Sequence, residues 1–138
     1  ALIGWGIGQT VVEVSSFEPV PGESIEVRVA QHGHMAVNDL SVWLVCEEKA
    51  TYRQGTNTRT DTQRVHEHKL ESRSGFIISG SGPEELHAKA VLPNEAMHSF
   101  KASRNEIRWL LEVRGDIERW PDFKRTFPIR VPLLTSRA

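Results

Sequence analysis

Apolar and polar residues alternate along most of this chain. Ile25, Val27 and Val29 fall on one side of a period-two repeat, with Glu26 and Arg28 on the other. That is the pattern of a strand with one buried face and one wet face. Leu40, Val42, Leu44 and Cys46 repeat it, opposed by Ser41, Trp43, Val45 and Glu47. Both of those faces carry apolar residues, which predicts a central strand. Leu86, Ala88, Ala90 and Leu92 form another such face, and Ile107, Trp109, Leu111 and Val113 the clearest one, against Arg108, Glu112 and Arg114. Phe123, Phe127, Ile129 and Val131 form the last, interrupted on the same side by Arg125. Weaker alternation runs from Val11 to Phe17 and from Thr62 to Leu70.

Turn-forming residues separate these stretches: Pro19-Val20-Pro21-Gly22, Gln31-His32-Gly33-His34, Ser79-Gly80-Ser81-Gly82-Pro83, Pro93-Asn94, Arg114-Gly115-Asp116 and Trp120-Pro121-Asp122. The polar stretch from Gln54 to Gln63 predicts a long loop or a hairpin tip. No segment keeps an i, i+3, i+4, i+7 apolar stripe, and Asn94 to Ser99 is at most one helical turn. The expected fold is all-β: a single antiparallel β-sandwich of about seven or eight strands. Trp43, Phe100, Trp109 and Phe127 are expected in its core.

Size and charge narrow the classes. The chain has 138 residues, 38% hydrophobic and 25% charged, the composition of one ordinary globular domain. Lys and Arg number 17 against 18 Asp and Glu, a net charge of −1. That balance points away from a dedicated nucleic-acid binder or a polybasic membrane-surface module. A single cysteine, Cys46, excludes an internal disulfide framework and a CxxC site.

The first eight residues carry no charge and include Trp5. They read either as an expression remnant or as the membrane-proximal tail of a transmembrane helix. The sandwich is therefore expected over residues 9–134, with a polar tail at 135–138.

Candidate chemistry is sparse. His66 and His68 lie two apart, which on a strand puts both imidazoles on one face, as in a zinc or copper pair. A closed site needs further donors, and Glu67 points the other way. Cys46 alternates with Leu44 and is expected to be a buried thiol. Ser81 lacks the flanking pattern of a nucleophile elbow. Glu47-Glu48 and Glu84-Glu85 are adjacent and face opposite ways on a strand, which does not suit paired acid–base work. Asp116, Glu118 and Asp122 surround Trp120 as loop charges. Lys49, Arg53, Arg59, Arg64, Lys69 and Arg73 make the middle of the chain locally basic, fit to meet an acidic or phosphorylated partner, although Asp61, Glu67 and Glu71 dilute the patch. No catalytic set, cofactor loop or complete metal set emerges.

The stretch Met97 to Val113, with Ser99-Phe100 followed by Ile107-x-Trp109-x-Leu111-x-Val113, resembles the arrestin-fold signature. Pro21-Gly22 ahead of Ile25, and Trp120 to Val131 as a returning strand, are similar to that family as well. Val45 to Thr56 together with Met97 to Phe100 resembles the soluble domain of an uncharacterised family of bacterial membrane proteins. The resemblance implies an immunoglobulin-like, arrestin-like sandwich following a membrane anchor, with its soluble part on the cytoplasmic side. It implies a non-enzymatic adaptor or scaffold role toward a protein partner, with no cofactor and no nucleic acid. Expected partner contacts are Tyr52, Arg53 and Arg59 in the Tyr52–Thr60 segment, and Trp120 in the Glu118–Phe123 corner. The alternatives are an extracytoplasmic immunoglobulin-like ligand-binding domain and a metal-binding domain centred on His66 and His68.

Overall fold

In the computed structural model, which describes residues 2–132, the period-two pattern becomes nine antiparallel strands. They are β1 (Ile3–Ile7), β2 (Thr10–Val14), β3 (Ser24–Gln31), β4 (His34–Gln54), β5 (Asn57–Ser79), β6 (Glu84–Val91), β7 (Phe100–Lys101), β8 (Asn105–Ile117) and β9 (Phe123–Ile129). One sheet has the order β1-β2-β3-β6. The other has the order β5-β4-β8, with β7 and β9 side by side along the far edge of β8.

The frame is one long two-stranded ribbon. β3 pairs with β6 from Ser24↔Val91 to Gln31↔Glu84. β4 then pairs with β5 from His34↔Ser79 to Gln54↔Asn57. Both chains therefore leave one sheet and enter the other at the same corner. Gly33 (φ 123°) and Gly80 (φ 88°) take left-handed backbone there, which a side chain would strain. Gly80 also lies against the His34 imidazole, leaving no room for a Cβ. The turn between β1 and β2 pins the corner: the His32 amide donates to the Gln9 carbonyl at 2.8 Å, and the buried Thr10 hydroxyl donates to Gln31 Oε1 at 2.5 Å.

Between the sheets lie the expected apolar faces. Val12, Val14, Val29, Leu40, Val42, Leu111, Val113 and Phe127 are fully enclosed. Trp109 is 3% exposed, and its indole Nε1 donates to the Met97 carbonyl at 2.7 Å. That bond ties the connection between β6 and β7 over the core, and the Ser99 amide, donating to the Val131 carbonyl at 2.8 Å, adds to it.

Two sequence expectations change, at Trp43 and at residues 3–7, and two open ones are resolved. Trp43 is not in the core: it is half-buried on the outer face of the second sheet, beneath the Arg114 guanidinium. Of the two forms expected for Gln54–Gln63 the hairpin tip is the one found, regular β-structure on both sides of a turn at Gly55-Thr56. Residues 3–7, expected ahead of the sandwich, form its edge strand β1, and Trp5 packs on Phe17 and Phe127 at ring separations of 4.6 and 5.5 Å. Asn94 to Ser99 forms a turn with no helix. The tail expected at 135–138 lies outside the described residues.

Trp109→Ala should destabilise the fold by about 3–5 kcal/mol in a urea melt, as a buried ring leaving a cavity does. The exposed Trp120→Ala should stay within about 0.5 kcal/mol of the parent. A Trp109 variant as stable as the Trp120 variant would contradict this core assignment.

Candidate functional site

Tyr52, Arg53 and Arg59 come together at the tip of the β4–β5 hairpin. Pairing of β4 with β8 stops at Ala50↔Asn105, and the Thr51 amide donates to the Arg104 carbonyl at 2.7 Å just past it. From Thr51↔Thr60 to Gln54↔Asn57 the two strands pair only with each other. Tyr52 stands opposite Arg59 across this arm. The Tyr52 hydroxyl donates to Asp61 Oδ2 at 2.8 Å, and Arg59 donates to Gln54 Oε1 at 3.0 Å. Arg53 is exposed. Trp120 is elsewhere, at the opposite end of the sandwich, so the four expected contacts form two surfaces.

The locally basic run divides as well. Arg73 is bound to Glu84, Lys69 lies 5.5 Å from the Trp43 ring, and Arg64 is drawn into a network on the outer face of the second sheet. Arg53 and Arg59 remain as the arm's cations, with Asp61 beside them.

That network was not anticipated. Glu112, read as solvated, is 1% exposed. Its two oxygens accept from Arg64 at 2.7 and 3.0 Å and from Arg114 Nε at 2.6 Å. Arg114 also reaches Glu67 at 3.0 Å and stacks over Trp43, with its guanidinium carbon 4.0 Å from the ring centre. Arg108 and Arg64 both contact Glu47, at 2.7 and 3.4 Å. Burial pushes the Glu112 carboxyl up, but the hydrogen bonds from Arg64 and Arg114 outweigh it and hold its pKa below the usual carboxylate range. Glu67 is lowered too, first by its bond from Arg114. One signal was present in the sequence: Trp43 and Val45 share a face with Glu47, and an apolar pair there implies cover.

At the Glu118–Phe123 corner, the Trp120 amide donates weakly to the Ile117 carbonyl at 3.4 Å, and Arg119 between them has φ 68°. A non-glycine residue held there costs about 1 kcal/mol. The turn presents Trp120 at 70% exposure. The loop acids do not converge on it, and Asp116 accepts from Asn38 Nδ2 at 3.2 Å.

His66 and His68 share the inner side of β5, opposite Cys46 and Leu44, with ring centres 6.5 Å apart. His66 also packs on Trp109 at 5.6 Å. Burial and the neighbouring His68 hold the His66 imidazole below its ordinary pKa. Among the described residues, no third His, Cys, Asp or Glu joins them in a metal-binding group. Cys46 is buried, and its thiol is pushed up to about 11 by burial and by Glu48 and Glu47. Ser81 meets only the Ser79 hydroxyl, at 3.0 Å. The acid pairs are split: Glu84 meets Arg73, and Glu85 meets Arg28.

No protein-family model matches the chain. No curated protein matches it either. Among solved structures it is similar to Spo0M, a sporulation control protein from Bacillus subtilis, with a TM-score of 0.67 at 15% identity. The fold is an arrestin-like β-sandwich. The similarity covers 93% of this chain and 51% of Spo0M, so the arrestin-like sandwich spans about half the length of that protein.

Two outcomes follow from this geometry. Because the folded pKa of Glu112 is depressed, its contribution is complete above the unfolded value of about 4.3 and is lost as pH falls through the folded value. Glu112→Gln should therefore cost about 1–3 kcal/mol at pH 7, and melts of parent and variant should converge in acid; a gap independent of pH would contradict the ion network. Cys46 should react with a thiol reagent only as fast as the protein opens, and rapid labelling of the native state would contradict its burial.

Proposed function

We propose that this chain is a non-enzymatic protein-interaction module that grips its partner with the β4–β5 arm. The observation that carries this reading is the arm itself. Beyond the Thr51–Arg104 bond, Tyr52–Gln54 and Asn57–Arg59 extend past the end of the β8 pairing, with exposed side chains on both faces and no strand paired to either backbone edge among the described residues. Such an edge can accept an added strand. Arg53 and Arg59 against Asp61 favour an acidic partner segment. A fold shared with a protein named for sporulation control fits a regulatory adaptor. The described residues hold no helix long and apolar enough to cross a membrane. The tether in this reading is a helix in chain preceding Ala1, with the module on the cytoplasmic side.

The test replaces Tyr52–Arg59 with Asn-Gly, closing Thr51 onto Thr60 with a two-residue turn. The arm contributes nothing to the core, so the thermal melt should be unchanged. In-cell crosslinking of the full-length protein with mass spectrometry should capture a reproducible partner that the trimmed protein loses. Retention of every partner by the trimmed, folded protein would reject the arm as the contact.

A further inference from the structure

Arg125 breaks the apolar face of β9. Phe123, Phe127 and Ile129 point with it toward the core, while Lys124 and Thr126 point away and are exposed. Across the pairing it stands opposite Val113, which is fully buried. Four arginines of the sandwich are partly buried: Arg28, Arg64, Arg114 and Arg125. The first three each bind two or more carboxylates. Arg125 binds none among the described residues. Its Nε is buried without a hydrogen-bond acceptor, and its one polar contact is a donation to the Lys124 carbonyl at 3.5 Å. With its Nε buried and unpaired and no carboxylate beside it among the described residues, the Arg125 guanidinium has only its exposed terminal nitrogens left to take an anion.

The surroundings define which anion. Arg125 lines a cleft of about 340 Å³ at the ribbon corner, together with Trp120, Met35, Ile117, Gln9 and His34. Its guanidinium carbon sits 5.0 Å from the centre of the Phe123 ring. That ring in turn covers Gly115, where no Cβ would fit. The cation is thus held from one side by packing that buries Nε, while Nη1 stays exposed. Among the described residues Arg125 is the one Lys or Arg lining the cleft; Glu118, Arg119 and Asp122 lie in the adjoining β8–β9 connection, and Asp116 near the end of β8. One Arg in the lining, with three acids against Arg119 and Lys124 around it, suits a single carboxylate better than a phosphate dianion or a polyanion. Exposed Trp120, with Met35 and Ile117, offers an apolar surface beside it.

We propose that the Arg125–Trp120 cleft is a binding site for a protein segment that presents one carboxylate beside an apolar side chain. The carboxylate accepts from the Arg125 guanidinium, and the apolar group lies on Trp120. The site is independent of the arm, at the other end of β4, and the failure of either leaves the other standing.

Two minimal probes test it by NMR on isotope-labelled protein. N-acetyl-L-phenylalanine carries its carboxylate as a chain end, and N-acetyl-Glu-Phe-amide carries it on a side chain. N-acetyl-L-phenylalaninamide is the neutral control. At least one acid should shift the Trp120 indole N–H and the Arg125 Nε–H in a saturable way, about tenfold or more tighter than the amide, the factor expected of charge-assisted hydrogen bonding. The acid that binds identifies whether a chain end or an acidic side chain is read. Arg125→Gln should remove the difference between acid and amide. Trp120→Ala, at an exposed position that cannot unfold the core, should weaken acid and amide alike. Neither acid binding more tightly than the amide, or a preference that survives Arg125→Gln in a folded protein, would overturn the proposal.

Discussion

A bent ribbon organises this molecule. β3 and β4 run antiparallel to β6 and β5 along nearly their whole length, and both chains change sheet between Gln31↔Glu84 and His34↔Ser79. Nothing else in the chain makes the two sheets face each other so directly. Once the corner is formed, β2 and β1 extend one sheet, and β8, β7 and β9 extend the other. The corner depends on glycine at Gly33 and Gly80, on the Gln9–His32 backbone bond, and on buried Thr10 and Gln31. Its position along the ribbon also decides where the surfaces lie. The shorter limb ends at the exposed pair Ser24 and Val91, while the longer limb outruns β8 and becomes the arm.

The longer limb creates an exposed edge, which a soluble sandwich has to manage. β5 runs 23 residues beside β4 with no strand on its other side among the described residues. Register shifts against Val42/Trp43 and Cys46/Glu47 make it irregular. Its outward charges are also committed. Arg64 and Glu67 join Arg114, Glu112 and Glu47 in a network that lies across the sheet. That network covers Glu112 and Val45 where no second layer of structure lies over them. The aliphatic stems and planar guanidiniums of Arg64 and Arg114 serve as the cover. A face that is polar in sequence thus holds a buried carboxylate, Glu112, among partly exposed arginines.

Much of the fold was legible because it rests on local periodicity. The inner faces of β3, β4, β8 and β9 were each marked by three or more apolar residues at spacing two. β1 was not legible, because Gly4 and Gly6 leave Ile3, Trp5 and Ile7 as its only side-chain signal, and an uncharged segment with tryptophan also suits a membrane boundary. The polar half of β5 was equally opaque, since Thr58 to Gln63 has no buried face to impose alternation. Trp43 misled because a large aromatic on a central strand usually points inward. Here the Arg114 guanidinium covers its ring on the outer face. Of the candidate contacts, Tyr52, Arg53 and Arg59 were grouped by sequence proximity, which a two-residue turn preserves. The separation of Trp120 from them depended on the ribbon, which local pattern does not encode.

The two surfaces differ in how they are built, and that bears on how each can act. The arm is two strands without a core, so its tip conformation is set by local hydrogen bonds such as Tyr52 to Asp61 and can adapt to a partner at little cost to the fold. The Arg125 corner is the reverse. Its cation projects from a strand whose neighbours Phe127 and Val113 are fully enclosed. It is therefore preorganised, and preorganised groups spend little on ordering when a ligand arrives. β4, 21 residues and about 70 Å of extended path at ~3.3 Å per residue, links the two ends. An anion at Arg125 would neutralise the unpaired inward charge of the sandwich and so stabilise the rigid end. Binding at the arm would order a segment that the core does not hold. The chain thus pairs a surface suited to selecting one chemical group with a surface suited to accommodating a longer segment.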